Sequence, residues 1–210
     1  MIIACIKVGD KYGPEYVNRL AAGVALNVTI PYEFLCLTDN PRGLRCNWEL
    51  IGESFPGWWA KLLLFKPHRK LVGKAVVFLD LDTVIVNNID FLLEPREFTI
   101  LRDFYWPDKY GSAIMTIPSG FGLQIWDKFT ANTRAVMFGY HGDQDWIFKC
   151  VKDAALWQDL YPDKIVSYKV HCQEGLPRGA AIVCFHGEPR PHQVNDSWVK
   201  EYWYVALSDA

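Results

Sequence analysis

The chain has 210 residues, half of them hydrophobic and 15% aromatic, with a formal net charge of −2. That length can bury the core of one domain, and that composition excludes a disordered chain. The near-neutral charge leaves no basic footprint for nucleic acid, and no run is long and apolar enough to cross a bilayer.

The opening residues, MIIACIKVGDKYG, lack a basic leader and a small-residue cleavage site, so Ile2–Val8 is expected to be a buried strand and not a signal peptide. Gly13-Pro14 opens a helix, because proline at the first turn lacks only an N–H that would be unpaired there. Val17, Leu20, Ala21, Val24, Ala25 and Val28 continue it at helical spacing. Tyr32–Leu37 reads as a second strand, ended by the turn Thr38-Asp39-Asn40-Pro41. Trp58–Phe65 is expected to be helical and closed by Pro67. The basic cluster Lys66, His68, Arg69, Lys70 and Lys74 then reads as a solvated helix end.

Ala75–Leu79 is continuously apolar, as in a central strand covered on both faces. Phe98–Leu101 and Ala113–Ile117 are further strands, Gly120–Asn132 and Asp143–Ala155 helices, and Ala180–Phe185 a last buried strand. Strands alternating with helices, without repeat or linker, predict one α/β domain over residues 1–210 with a mainly parallel sheet. The six cysteines form no C-x-x-C pair, and Cys5, Cys36 and Cys184 lie in apolar runs. Zinc would need closer pairs, so free thiols and a cytoplasmic location are expected.

The segment Val76–Val86 carries the chemistry. Asp80 and Asp82 interrupt its apolar run, and in extended chain both point to one side. Two adjacent carboxylates repel, and burying them unpartnered is expensive. A divalent cation such as Mn²⁺ or Mg²⁺ relieves both problems and binds one or two carboxylates together with substrate phosphates. A pair of solvated aspartates in a strand-end turn is the plainer reading, and the apolar Thr83–Val86 that follows argues against it. Two chemistries use D-x-D here. A haloacid dehalogenase-type phosphatase takes the first aspartate, here Asp80, as nucleophile, normally at the first strand of its domain. A glycosyltransferase uses the pair to hold a metal against a nucleotide diphosphate. A strand, a helix and a second strand precede Asp80, which favours the transferase.

At this point the sequence resembles glycosyltransferases of the GT-A fold, most closely the retaining family 8 type. Gly9-Asp10-Lys11-Tyr12 is similar to that family's Asn-Asp-x-Tyr turn, whose tyrosine stacks on uracil. Trp59-Ala60-Lys61-Leu62 resembles its basic-residue-plus-leucine helix. Asp80-Leu81-Asp82 matches its metal motif, and Gly111–Met115 the short strand beside the donor sugar. Gly142-Asp143-Gln144-Asp145 resembles its Asp-Gln motif, and Phe185–Pro191 its C-terminal histidine segment. The motif after His186 is compressed, with Arg190 in place of lysine and His192 where tryptophan is expected.

The resemblance implies a Rossmann-like GT-A domain that binds a nucleotide-sugar, UDP-linked, and passes its sugar to a hydroxyl acceptor. It implies metal ligation by Asp80, Asp82 and His186. Val8, Asp10, Tyr12, Lys61, Leu81 and Arg190 would border the nucleotide, and Asp143 and Gln144 would act at the sugar. Plainer roles stand beside these: Asp143 as a helix N-cap, Lys61 as a lysine reaching water, His186 as a hydrogen-bonded strand-end residue. Trp58, Trp59, Trp126, Trp146, Trp198 and Trp203 are candidate sugar platforms, with core packing the default for each.

Overall fold

The computed structural model describes residues 1–52, 55–67 and 69–204, so His68 of the basic cluster lies outside the described residues. Its centre is a seven-stranded sheet in the order β3-β2-β1-β4-β7-β6-β8. These strands are β1 (Ile2–Lys7), β2 (Glu33–Thr38), β3 (Trp48–Leu50), β4 (Val76–Leu79), β6 (Thr99–Arg102), β7 (Tyr110–Ile117) and β8 (Ala155–Leu156). All pairings are parallel except those of β7, which runs antiparallel to both β4 and β6. A second, three-stranded sheet joins β5 (Thr83–Ile85), β10 (Ile182–Cys184) and β9 (Ile165–Ser167) in that order.

Both faces of the large sheet are covered, as continuous apolar strands require. Ile3, Cys5, Val77, Leu79 and Ile114 face a core shared with the helix α1 (Pro14–Asn27) and the small sheet. The alternate residues Ile2, Ala4, Val76, Phe78 and Met115 face a second core. That one is built with the 3₁₀ segment Gly57–Phe65 and the helices α2 (Leu123–Ala131), α3 (Thr133–Gly139) and α4 (Asp143–Cys150). The short helices α5 (Trp157–Leu160) and α6 (Tyr168–His171) follow strands β8 and β9, and α7 (Ser197–Tyr204) packs on α1 and β5. All six cysteines are free. Among the described residues no helix is long and apolar enough to cross a membrane.

Several boundaries differ from the sequence reading for local reasons. Gly57–Phe65 winds as a 3₁₀ segment and not an α-helix, with Trp59, Ala60 and Leu62–Phe65 all buried. The helix expected from Gly120 starts at Leu123, because Gly120 and Gly122 hold left-handed φ angles of 76° and 86°. A β-carbon on Gly122 would lie 2.3 Å from Phe65 Cδ1, so the turn needs glycine. Asn132, expected inside that helix, caps the next one by accepting from the Ala135 N–H at 3.2 Å. The helix from Asp143 stops at Cys150, and Ala155–Leu156 instead pairs with β6. The expected last strand of the main sheet, Ala180–Phe185, shortens to β10 and belongs to the small sheet.

The largest correction concerns the aspartates. They do not share one extended strand: β4 ends at Leu79, the chain turns through Asp80–Asp82, and β5 begins in the other sheet. The Thr83 N–H donates to the Asp80 carbonyl at 3.2 Å, closing that turn. The turn is nevertheless not solvated, since Asp82 is only 8% exposed.

Candidate active site

A cleft of about 530 Å³ opens at the carboxyl ends of β1, β4 and β10. This is the edge where open α/β sheets bind ligands. β1 delivers Val8, Lys11 and Tyr12, the β4–β5 turn delivers Asp80, Leu81 and Asp82, and β10 delivers His186 and Gly187. The first turn of α4 adds Asp143 and Gln144, and the 3₁₀ segment adds Trp58 and Lys61. Of the residues expected in the site, Asp10 is exposed and outside this lining. Arg190 stands just beyond it, its guanidinium 5.1 Å from the Tyr12 ring centre.

Lys61 is the hub of the interior. Its ammonium donates to Asp80 Oδ2 at 2.7 Å and to Ser112 Oγ at 3.1 Å. Ser112 reaches it through an irregularity in β7: the register with β6 jumps from Ile100↔Met115 to Leu101↔Gly111, leaving Ser112–Ile114 without partners on β6. Bulges of this kind re-aim side chains beside active sites. Burial alone would lower the pKa of Lys61, but Asp80 and Asp143 outweigh it and raise it, so the group stays charged.

Three carboxylates surround that one ammonium. Burial raises the pKa of Asp80, with Lys61 opposing and Asp82 reinforcing the shift. Burial also raises Asp82, opposed by the Tyr12 hydroxyl, which donates to its Oδ2 at 2.7 Å. Asp143 is 3% exposed, and its Oδ2 has no hydrogen-bond partner. Burial raises its pKa too, against the pull of Lys61. Three carboxyl groups thus share one ammonium, and burial works against the charged form of each.

His186, which follows β10, is stacked on Phe104 at 5.7 Å with Tyr105 edge-on at 5.4 Å. Its Nε2 shares a 2.6 Å hydrogen bond with Ser167 Oγ. Burial, then the nearby Lys169, lowers its pKa and keeps the imidazole neutral. The Gln144 amide donates to Asp103 Oδ2 at 3.4 Å. Asp103, Phe104 and Tyr105 are cleft residues that sequence reasoning missed; their signal was an aromatic run after a strand, which equally marks a core. His141 was missed as well, although it directly precedes the Gly142–Asp145 motif.

The donor set suits a hard divalent cation in one respect: Asp80 and Asp82 offer oxygen donors whose charged forms burial disfavours and a cation would favour. Among the described residues no three His, Cys, Asp or Glu side chains gather closely enough to hold an ion alone. Asp80, Asp82 and His186 thus share a cleft without forming a closed cage. A half-site of this sort fits an ion that substrate phosphates complete.

No protein-family model matches the sequence, and no curated protein matches it significantly. Solved structures do. The glycosyltransferase GlyE of Streptococcus pneumoniae TIGR4 superposes with a TM-score of 0.69 at 13% identity, over 100% of this chain and 62% of GlyE. An active-site glutamine-to-glutamate mutant of LgtC gives 0.67 at 13% identity, over 98% of this chain and 95% of LgtC. The bifunctional glycosyltransferase WbbM gives 0.67 at 12%, over 99% of this chain and 49% of WbbM. This chain has the GT-A fold. It spans less than two thirds of GlyE and of WbbM and nearly the whole of LgtC.

Proposed function

We propose that this protein is a metal-dependent glycosyltransferase that moves a sugar from a nucleotide diphosphate sugar, UDP-linked, to a hydroxyl acceptor. The observation that carries the reading is the charge arrangement: two buried carboxyl groups, Asp82 and Asp143, beside a partly buried Asp80–Lys61 ion pair at the carboxyl edge of a GT-A sheet. The similarity to LgtC, a galactosyltransferase crystallised with donor and acceptor sugar analogues, supports sugar transfer. The likeness to the retaining family 8 type supports retention of the anomeric configuration.

Asp80 and Asp82 would hold Mn²⁺ or Mg²⁺, with His186 as the third protein ligand; bound there, the ion neutralises charge on a departing diphosphate. Tyr12 orients the Asp82 carboxylate through its hydroxyl and offers its ring to the uracil base, with Val8 and Leu81 beside it. Lys61 fixes Asp80 and Ser112 and supplies a preorganised positive charge next to the diphosphate. Arg190 approaches from the rim. Asp143, at the first turn of α4, faces the sugar with the unpartnered carboxylate oxygen that hydroxyls can satisfy. Gln144 is held by Asp103 so that its amide carbonyl is free toward the reacting centre. LgtC likewise has an active-site glutamine.

Thermal stability in the presence of ligands tests this class. A ligand at a hundredfold excess over Kd stabilises the native state by about 2.7 kcal/mol. For a chain of this length that raises Tm by roughly 6 °C. UDP with Mn²⁺ is expected to raise Tm by more than the sum of UDP alone and Mn²⁺ alone. Additive or absent shifts with UDP, GDP and other nucleoside diphosphates would refute it, and a shift with fluoroberyllate and Mg²⁺ instead would identify a phosphatase.

A further inference from the structure

The nine tryptophans separate sharply by environment. Trp59, Trp126, Trp146, Trp157 and Trp203 are buried, and Trp198 packs against Tyr168 and Phe185. Trp48 and Trp106 are exposed but stand outside the cleft lining. Trp58 alone is both half exposed, at 48%, and part of the cleft wall. Its neighbour Trp59 stacks on Phe129 in the core at 5.9 Å and 7°. The tight 3₁₀ winding thus sends one indole inward and the next outward.

The outward indole is braced. A β-carbon at Gly142 would lie 3.0 Å from Trp58 Nε1 and 3.2 Å from its Cδ1, so the ring rests on the backbone that leads into Asp143 and Gln144. The His141 ring is 5.9 Å away at 48°. Tyr105, 53% exposed, lines the same cleft. Lys61, three residues beyond Trp58, contacts Asp80. A flat aromatic face is therefore fixed beside the expected reacting centre, with no core to cover it.

We propose that Trp58, with His141 beside it and Tyr105 in the same cleft, forms the acceptor subsite and binds a pyranose ring. The chemistry selects that class. An indole face carries negative π density and apolar area, which match the polarised C–H groups on one face of a sugar ring. The cleft residues around it are Asp103, His141, Asp143 and Gln144, hydrogen-bonding groups suited to ring hydroxyls. A lipid tail would need a continuous apolar groove, and these side chains interrupt one. The inference rests on the proposed transfer reaction, in which the nucleotide occupies the Tyr12 side of the cleft.

Saturation-transfer difference NMR tests it with methyl β-galactoside, methyl β-glucoside and lactose at millimolar concentration, with UDP and Mn²⁺ present. At least one of these saccharides should show saturated ring protons with the unaltered protein. The signal should fall at least fivefold in Trp58→Ala and be partly kept in Trp58→Phe, with both variants keeping the parent circular dichroism. UDP affinity, titrated in parallel, should stay within about twofold. A signal unchanged in Trp58→Ala, or no signal from any saccharide, overturns the subsite. A tenfold loss of UDP affinity in Trp58→Ala also overturns it, because Trp58 would then carry the base. If the unaltered protein hydrolyses no UDP-sugar while the Trp58-dependent signal persists, the transfer reaction falls and the saccharide subsite stands.

Discussion

Asp143→Asn separates the needs of the site from the needs of the fold. Asp143 is 3% exposed, one of its oxygens is unpartnered, and burial raises its pKa. Burial therefore works against the charged form. Asparagine keeps the shape and removes the charge, while Lys61 retains Asp80 at 2.7 Å and Ser112 at 3.1 Å. A buried unsatisfied group costs about 1–3 kcal/mol. Allowing for the lost attraction to Lys61, and for an amide N–H left in place of the orphan oxygen, we expect a net gain of about 1–2 kcal/mol. Unfolding entropy of about 2.1 cal/mol/K per residue, over 210 residues, makes each kcal/mol worth roughly 2–3 °C. Differential scanning fluorimetry of the metal-free protein at pH 8 should thus show Tm rising by about 2–5 °C, while sugar transfer falls at least a hundredfold. The pH dependence fixes the cause. A carboxyl whose folded pKa is raised is destabilising when ionised, and this penalty is relieved as pH falls through the folded value. The gap between variant and parent should therefore shrink as the pH is lowered from 8. A lower Tm in the variant, or a gap independent of pH, would refute the charge argument.

Three further outcomes are expected. Asp80→Asn and Asp82→Asn should each lower Mn²⁺-dependent UDP-sugar hydrolysis at least a hundredfold at subsaturating metal; near-normal rates in Asp82→Asn would remove it from the metal site. Gln144→Ala should reduce kcat by more than it weakens UDP binding if, as proposed, its amide stands at the sugar; a loss carried wholly by UDP affinity would place it at the nucleotide. Gly122→Ala must adopt φ near 86° and drive its β-carbon into Phe65. Left-handed strain of about 1–2 kcal/mol plus overpacking of about 1–3 kcal/mol predicts a Tm lower by roughly 5–10 °C, and a change below 2 °C would contradict it.

Much of this was legible from hydrophobic pattern alone. β1, α1, β2 and β4 lie within a residue or two of their expected positions, because each is a continuous apolar run or a stripe at helical spacing. β3 and β8 escaped notice because they are short and pair at or near the sheet edges, where burial imposes little pattern. The plain default of core packing holds for most of the tryptophans, and only three-dimensional placement singles out Trp58. For Lys61 the resemblance pointed to the nucleotide, while its nearest partners are Asp80 and Ser112, the latter beside an irregularity in β7 that no local pattern announces.

The turn through Asp80–Asp82 explains how the sequence could single out two residues that line the cleft while misreading their conformation. Its backbone is tied into both sheets: the Asp80 N–H donates to Ala113 of β7 at 2.9 Å, and the Asp82 carbonyl accepts from the Phe185 N–H at 3.0 Å. With these main-chain groups satisfied on either side, the apolar flanks belong to two different strands, and the carboxylates of the turn are left at the cleft. The second tie also accounts for His186. β10 runs antiparallel to β5 with Cys184 opposite Thr83, so the residue after Phe185 emerges beside the turn from a hundred positions away in sequence. A D-x-D flanked on both sides by apolar residues therefore signals more than a buried strand. Here it marks a chain that leaves one sheet for another, with the cleft in which the carboxylates stand at the crossing.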